Sequence, residues 1–408
     1  MSPARADAGL RAAPPAGSAP VAPVAQSPLG QLAFLGVAIA SLGGPLALAA
    51  LYVPTIVPDV TRSAGFITLV GSAAFVVPLV IWLRYARHVT GSGGLYDYVL
   101  ASVGRRPALL QAGLWIASYA LYLIYTTAAI VYDTLPAVLP WIRPYRSTLE
   151  IAIPVVLAAI MLSGRTATLA VLGLLALGQM VLVLVLAGVT IGHDAPAHSF
   201  AVPAASSDLT KAGAQVALLY ICGSLPLFLG GELRQPSRTI RRVLPLAYAA
   251  VAVSVTAAVF PLAENPAFTR AAIPGMSVAQ VFSGRGLAVA VGVGVAVSTA
   301  GVMLVEYLAL SRLLARLTAR PMRQIIGVLS VVLVVSAPIT LIDPDRIYDD
   351  LLKPSLVALW LSQLVVFVAY PWFRARFERL HAVDLALAAG ASAFAIYGIY
   401  ATFQSAST

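Results

Sequence analysis

ICGSLPLFLGGE, residues Ile221 to Glu232, lies in the middle of a run apolar enough to cross a membrane. Gly223, Ser224 and Pro226 interrupt that run. A proline inside a helix removes a backbone donor and clashes with the preceding turn, at about 3 kcal/mol, and a glycine adds roughly 1 kcal/mol of backbone entropy. Hydrocarbon offers no water to an open peptide group, so such a break persists only where protein or a polar cavity covers it. A single break is commonly a kink. A second break in matching register makes it part of a design.

The surrounding chain is of a membrane kind. Of its 408 residues 60% are hydrophobic and only 10% are charged, against roughly a quarter charged in soluble domains. Apolar stretches of about 20 residues suffice to cross a bilayer. They occur near 31–57, 64–83, 108–132, 149–163, 168–191, 212–231, 243–262, 286–311, 324–342, 354–372 and 383–402, giving eleven spans. Residues 1–28, rich in Ala, Pro, Gly and Ser, read as a disordered cytoplasmic tail ahead of a transporter domain over 29–404. The first apolar run is too long for a signal peptide and no cleavage site comes after it.

The net charge of +10 is almost all arginine. The arginines cluster between spans, which fits membrane topology rather than a nucleic-acid surface. With the N-terminus inside, 18 Lys and Arg fall on the cytoplasmic side and 8 outside. The positive-inside rule then gives a multi-pass cell-membrane protein with a cytoplasmic N-terminus and an extracytoplasmic C-terminus.

The matching break is in the first span, at Ser41-Leu42-Gly43-Gly44-Pro45, 182 residues before Gly223-Ser224-Leu225-Pro226. The same offset carries spans three, four and five onto spans eight, nine and ten. The fold expected is all-α, with a five-plus-five repeat over about 31–191 and 212–372, broken spans one and six, and an extra helix at 383–402. Five spans is an odd number, so the second unit is inverted. Paired breaks in inverted halves point to a transporter's substrate site.

Two segments carry a resemblance. GSGGLYDYVLASVGRRPALLQAGLW (Gly91 to Trp115) resembles the first cytoplasmic loop of amino acid–polyamine–organocation (APC) superfamily permeases, leading into the third span. GGELRQPSRTIRRVLPLA (Gly230 to Ala247) resembles that family's segment joining spans six and seven. SRLLARLTARP (Ser311 to Pro321) is similar to the arginine-bearing end of its span eight. The resemblance implies secondary transport of an amino acid or related amine, coupled to H+ or Na+ or run as exchange. The chain departs from the family in three places: SLGGP replaces its usual Gly–Ser–Gly run, there are eleven spans rather than twelve, and span five offers Gln179 where some proton-coupled members have lysine.

In such a fold the half-helix after the first break begins with unpaired N–H groups, suited to a carboxylate. Ser41, Leu42, Gly43, Gly44 and Pro45 are therefore substrate-site candidates, with Gly43 and Gly44 at the carboxylate. Carbonyls near Tyr220, Gly223 and Ser224 are candidates for the ammonium group. Tyr119, Tyr122 and Tyr125, at helical spacing in span three, either close over the ligand or pack between helices. Ion-coupling candidates are Gln179, Ser298, Thr299 and Glu306. Hydroxyls such as Ser298 and Thr299 also commonly bond back to their own helix. Glu306 reads as the one acid clearly inside a span, five residues from its cytoplasmic end, where an arginine is the expected partner. With no acid placed beside the breaks, a neutral amino acid is favoured. Asp97 and Arg105 are assigned to a cytoplasmic gate loop, and Glu264 to Ser283 to an outer loop that the resemblance makes a lid.

Other classes find less support. Cys222 is the single cysteine, and His88, His193, His198 and His381 lie near span ends or in loops, so neither a disulfide nor a metal centre is expected. Ser92 sits in a loop and no span holds a histidine to serve as base, which argues against an intramembrane protease. Filter motifs and phosphate-binding loops are lacking, against a channel or a pump. No cofactor is expected.

Overall fold

The computed structural model describes residues 28–56, 64–193, 206–259 and 271–404. The tail before residue 28 and the outer loop from 264 to 270 lie outside the described residues. Within them, eleven helices are long and apolar enough to span a membrane: Gln31–Ile56, Ala64–Tyr85, Arg105–Val138, Pro140–Leu162, Arg165–His193, Thr210–Glu232, Pro236–Val259, Arg285–Thr318, Met322–Leu341, Asp350–Phe377 and Ala382–Phe403. They are numbered spans one to eleven in that order. Each coincides with a segment located by hydropathy, although several run further. Span eight continues through SRLLARLT to Thr318, because the helix outlasts the apolar run and carries its arginines beyond it.

Helix contacts obey the repeat. Span one packs on span seven as span six packs on span two, and span five lies against span eight as span ten lies against span three. Spans three and eight, and spans four and nine, meet as equivalent pairs. Spans one, two, six and seven thus form one bundle, with three, four, eight and nine as a second layer across it. Span eleven rests on span ten and span two.

Two short helices add to the spans expected from hydropathy. Leu95–Val103 comes after the GSGG turn inside the segment read as a loop, and Pro274–Ser283 occupies the outer connection before span eight. Two stretches widen to π-helix, Leu48–Tyr52 and Ala129–Thr134. Each precedes a proline, Pro54 and Pro136, whose ring cannot sit over the carbonyl four residues back. The widened turn relieves that clash.

The segments that carried the family resemblance touch one another. A side chain at Gly231 would collide with the Ser92 hydroxyl, and one at Gly230 would meet the Thr90 carbonyl at 2.8 Å. Gly91 and Gly93 make room for Asp97, whose carboxylate accepts from Gly93 N at 2.9 Å and pairs with Arg316 at 3.4 Å. The glycines therefore serve close approach between the loop and the end of span six.

Candidate functional site

The first break is a tight reversal. Leu42 has φ −77° and ψ 52°, and Gly43 N donates to Ser41 O at 2.8 Å, which is an inverse γ-turn. Gly43 and Gly44 come next with φ of 72° and 68°, the left-handed region open to glycine. Helix resumes at Pro45, where a missing N–H costs nothing. Gly44 is held by its neighbour: a Cβ there would lie 2.5 Å from Ser298 Oγ.

Ser298 is the centre of a small network. Its hydroxyl accepts from Ala47 N at 3.3 Å and donates to Gln179 Oε1 at 2.7 Å. Gln179 Nε2 is buried without a partner. Spans one, five and eight are thereby tied together at the first break. Thr299, the other hydroxyl, donates to Val295 O of its own helix at 3.1 Å, and Ser41 likewise donates to Ala38 O at 2.8 Å.

The second break is longer. Span six leaves the α-helix after Leu218 and continues as a 3-10 helix from Ile221 to Glu232. Runs beyond three or four residues are uncommon in this conformation. Gly223 N donates to Tyr220 O at 2.9 Å, and Ser224 Oγ to Ile221 O at 3.3 Å. Those two carbonyls thus each accept one bond already and are less open than the sequence suggested. The Tyr220 hydroxyl meets Ser72 Oγ at 3.2 Å, and its ring packs with Phe75 and Tyr248, towards spans two and seven. Gln363 of span ten, which carries no mark in the sequence, donates through Nε2 to Ser224 Oγ at 3.3 Å and is fully buried.

The two breaks lie against each other. A side chain at Gly223 would meet Leu42 Cδ2 at 2.8 Å, and one at Gly43 the Leu219 carbonyl at 3.0 Å.

Glu306 corrects the sequence reading. It is fully buried, and more than three further turns of span eight separate it from Thr318, about 18 Å at the helical rise. It does not reach an arginine. Its Oε1 faces Cys222 Sγ of the second break at 3.9 Å, and the Tyr119 hydroxyl lies 3.9 Å from the same sulfur. Tyr52 and Tyr122 also face this carboxylate. An acid therefore does stand beside a break, which removes the ground for favouring a neutral substrate. Nor is it the one acid within a span: Glu150 is fully buried in span four, where it accepts from the Thr340 hydroxyl. The apolar-run boundaries placed both close to span ends, by cutting span eight short and starting span four at residue 149.

Tyr119, Tyr122 and Tyr125 form a ladder, with ring centroids 6.3 Å and 5.1 Å apart. Tyr119 is buried against Trp115, whose ring meets Phe228 of span six at 4.4 Å. Tyr52, Tyr122, Gly43 and Leu219 are only half-buried although they face inward. Accessible space therefore borders both breaks and the Glu306 corner.

The end of the bundle that carries most of the arginines is closed. Glu232 holds Arg312 at 2.5 Å and Arg165 at 3.0 Å, and Leu29 N donates to Glu232 O at 2.8 Å. At the opposite end the helix Pro274–Ser283 lies on the second half of span one, close enough that a Cβ at Gly275 would meet Ala50 Cα at 2.7 Å.

No protein-family model and no curated protein matches the chain in sequence. Its fold recurs in solved structures. MhsT in complex with L-phenylalanine aligns over 93% of this chain and 100% of that one, with a TM-score of 0.63 and 12% identity. A mutant of the Eremococcus coleocola manganese transporter aligns over 91% of this chain and 87% of that one, with a TM-score of 0.66 and 10% identity. At these identities the likeness is one of fold, the LeuT-type inverted repeat with broken first and sixth spans.

Proposed function

We propose that the chain is a secondary active transporter of the APC superfamily that carries an amino acid or related amine across the cell membrane by alternating access. The observation that carries this reading is the contact of the two breaks, Leu42 against Gly223 and Gly43 against Leu219, in a bundle whose arginine-rich end is tied together by Glu232. A binding site at the midplane between inverted repeats needs such an arrangement. MhsT and the manganese transporter share the frame, and the amine reading rests on this chain's own acid and tyrosines. Ser41 to Pro45, Tyr119, Tyr122, Gly223 and Ser224 line or support the site, while Tyr220 braces span six from behind. The arginine-rich end is cytoplasmic, by the positive-inside rule.

Coupling is to protons or by exchange, through Glu306. Sodium has less support, because the Ser298 hydroxyl is engaged by Ala47 N and Gln179 and Thr299 bonds back to its helix. The test is uptake of labelled amino acids and amines into proteoliposomes under a sodium gradient alone or a pH gradient alone. Uptake driven by the pH gradient is expected. Uptake driven by sodium that ignores the pH gradient would reverse the coupling assignment, and no uptake of any solute would remove the transporter reading.

A further inference from the structure

We propose that the Glu306 carboxylate is the seat of the cargo's ammonium group, and that a proton takes the same seat when the cargo leaves. The chain would then exchange one protonated amine for one proton. The proposal rests on the transporter reading above and names the substrate class of that site.

Glu306 is fully buried, and its Oε2 has no hydrogen-bond partner. Among the described residues no arginine, lysine or histidine forms an ion pair with it. The titratable groups that face it are Cys222 of span six, Tyr119 and Tyr122 of span three and Tyr52 of span one, all without positive charge. Spans five and nine also pack on span eight, and bring Gln179 and Ser330 to it. In span four Glu150 is bonded to Thr340 and Arg146 to the Tyr132 carbonyl. The described residues thus supply no counter-charge.

A carboxylate out of water needs a partner, either a proton or a cation. Holding both would leave a positive charge in the same dry site, and holding neither would leave a bare negative one. Occupation by proton and by amine is therefore mutually exclusive, which is the condition for exchange. Tyr52, Tyr119 and Tyr122 are close enough to interact electrostatically with the carboxylate, and tyrosine rings attract an organic cation. The half-buried Tyr52 and Tyr122 mark where a ligand reaches it.

Charge selects among amines. In an α-amino acid the ammonium nitrogen and the carboxylate carbon are bonded to the same Cα. With its ammonium on Glu306, such a molecule would bring a second carboxylate into a buried site whose described residues supply no counter-charge. The cargo at Glu306 is accordingly an amine without an α-carboxylate.

The experiment uses the purified full-length protein in weak buffer, titrated with tyramine and, separately, with L-tyrosine. Tyramine binding should release about one proton per molecule bound, and weaken about tenfold per pH unit once acidification fills the seat. L-Tyrosine should bind at least tenfold more weakly. Glu306→Gln should lose tyramine binding while eluting as the wild type does on size exclusion. In acid-loaded proteoliposomes the wild type should accumulate tyramine. Tyramine bound without proton release, or L-tyrosine bound as tightly, overturns the proposal whether or not the variant folds. Amino-acid uptake that survives Glu306→Gln overturns it too while leaving the transporter reading standing. Failure of the wild type to bind or move any amine or amino acid overturns both.

Discussion

Gly44 and Gly223 look alike in the sequence, as glycines in matching breaks, and the structure separates them. Gly44 has a left-handed φ of 68°, and a Cβ there would stand 3.0 Å from the Ser298 carbonyl oxygen and closer still to its hydroxyl. Backbone cannot yield as a side chain can. Gly44→Ala is expected to cost about 1–3 kcal/mol in strain and to lower the thermal midpoint of the purified protein. Gly223 has no such φ, and its nearest obstacle is the methyl end of Leu42 at 2.8 Å. Gly223→Ala should stay within about 1 kcal/mol of wild type, since a flexible side chain can move aside. Equal midpoints for the two variants would refute this contrast. The breaks were legible because glycine and proline disrupt helices wherever they stand. That Ser298 dictates Gly44 was not, because the contact joins residues 254 positions apart. Glu306 was visible as an acid in an apolar run, and its partner Cys222 could only be found once span six was placed beside it.

Among the elements, hydropathy located all eleven spans because burial in a membrane writes a long uniform signal. It missed Leu95–Val103 and Pro274–Ser283, which are too short to carry that signal and lie against the bundle ends. The 3-10 stretch of span six was equally hidden, since glycine and proline mark where an α-helix stops but leave the next conformation open. Span eleven shows how an outlying helix is held. Many of its apolar side chains, Leu385, Ile396, Tyr400 and Phe403 among them, are exposed on the surface. Near its start, however, Asp384 is 1% exposed and takes Arg84 from span two and Arg374 and Tyr370 from span ten. It also caps the chain by accepting from His381 N at 3.0 Å. Removing this carboxylate leaves Arg374, which is almost fully buried, with Glu378 as its remaining acid partner. Leaving a buried charge bare typically costs about 3–5 kcal/mol. Here Glu378 still holds Arg374, and Arg84, a quarter exposed, recovers part of its share in water, so the cost is smaller. Asp384→Ala is expected to destabilise by about 1–2 kcal/mol, read as a lower thermal midpoint. An unchanged midpoint would mean that apolar contact alone secures span eleven.

At the scale of the whole molecule, the arginine-rich end is closed around one residue. Glu232 terminates the second broken span, binds Arg165 at the start of span five and Arg312 in span eight, and receives Leu29 N ahead of span one. Four elements converge on it, and in the transport cycle proposed above they part when this end opens. The carboxylate is 19% exposed, so water screens its two pairs to about 1–2 kcal/mol together. Removing its charge in Glu232→Gln should move the closed–open equilibrium by roughly tenfold, since each 1.4 kcal/mol is a factor of ten. The protein carries its own reporter. Cys222 is its single cysteine, is 8% exposed, and lies on the second break next to Glu306. A membrane-impermeant maleimide added from the arginine-rich side should label Cys222 slowly in the wild type and about tenfold faster in Glu232→Gln, because labelling tracks the open population when opening is fast. Added from the opposite side, the reagent should label the variant no faster than the wild type, since a shift towards one opening withdraws from the other. Equal rates from the arginine-rich side would place the gate elsewhere, and a rise from both sides would mean that the substitution loosens the fold instead of opening one end.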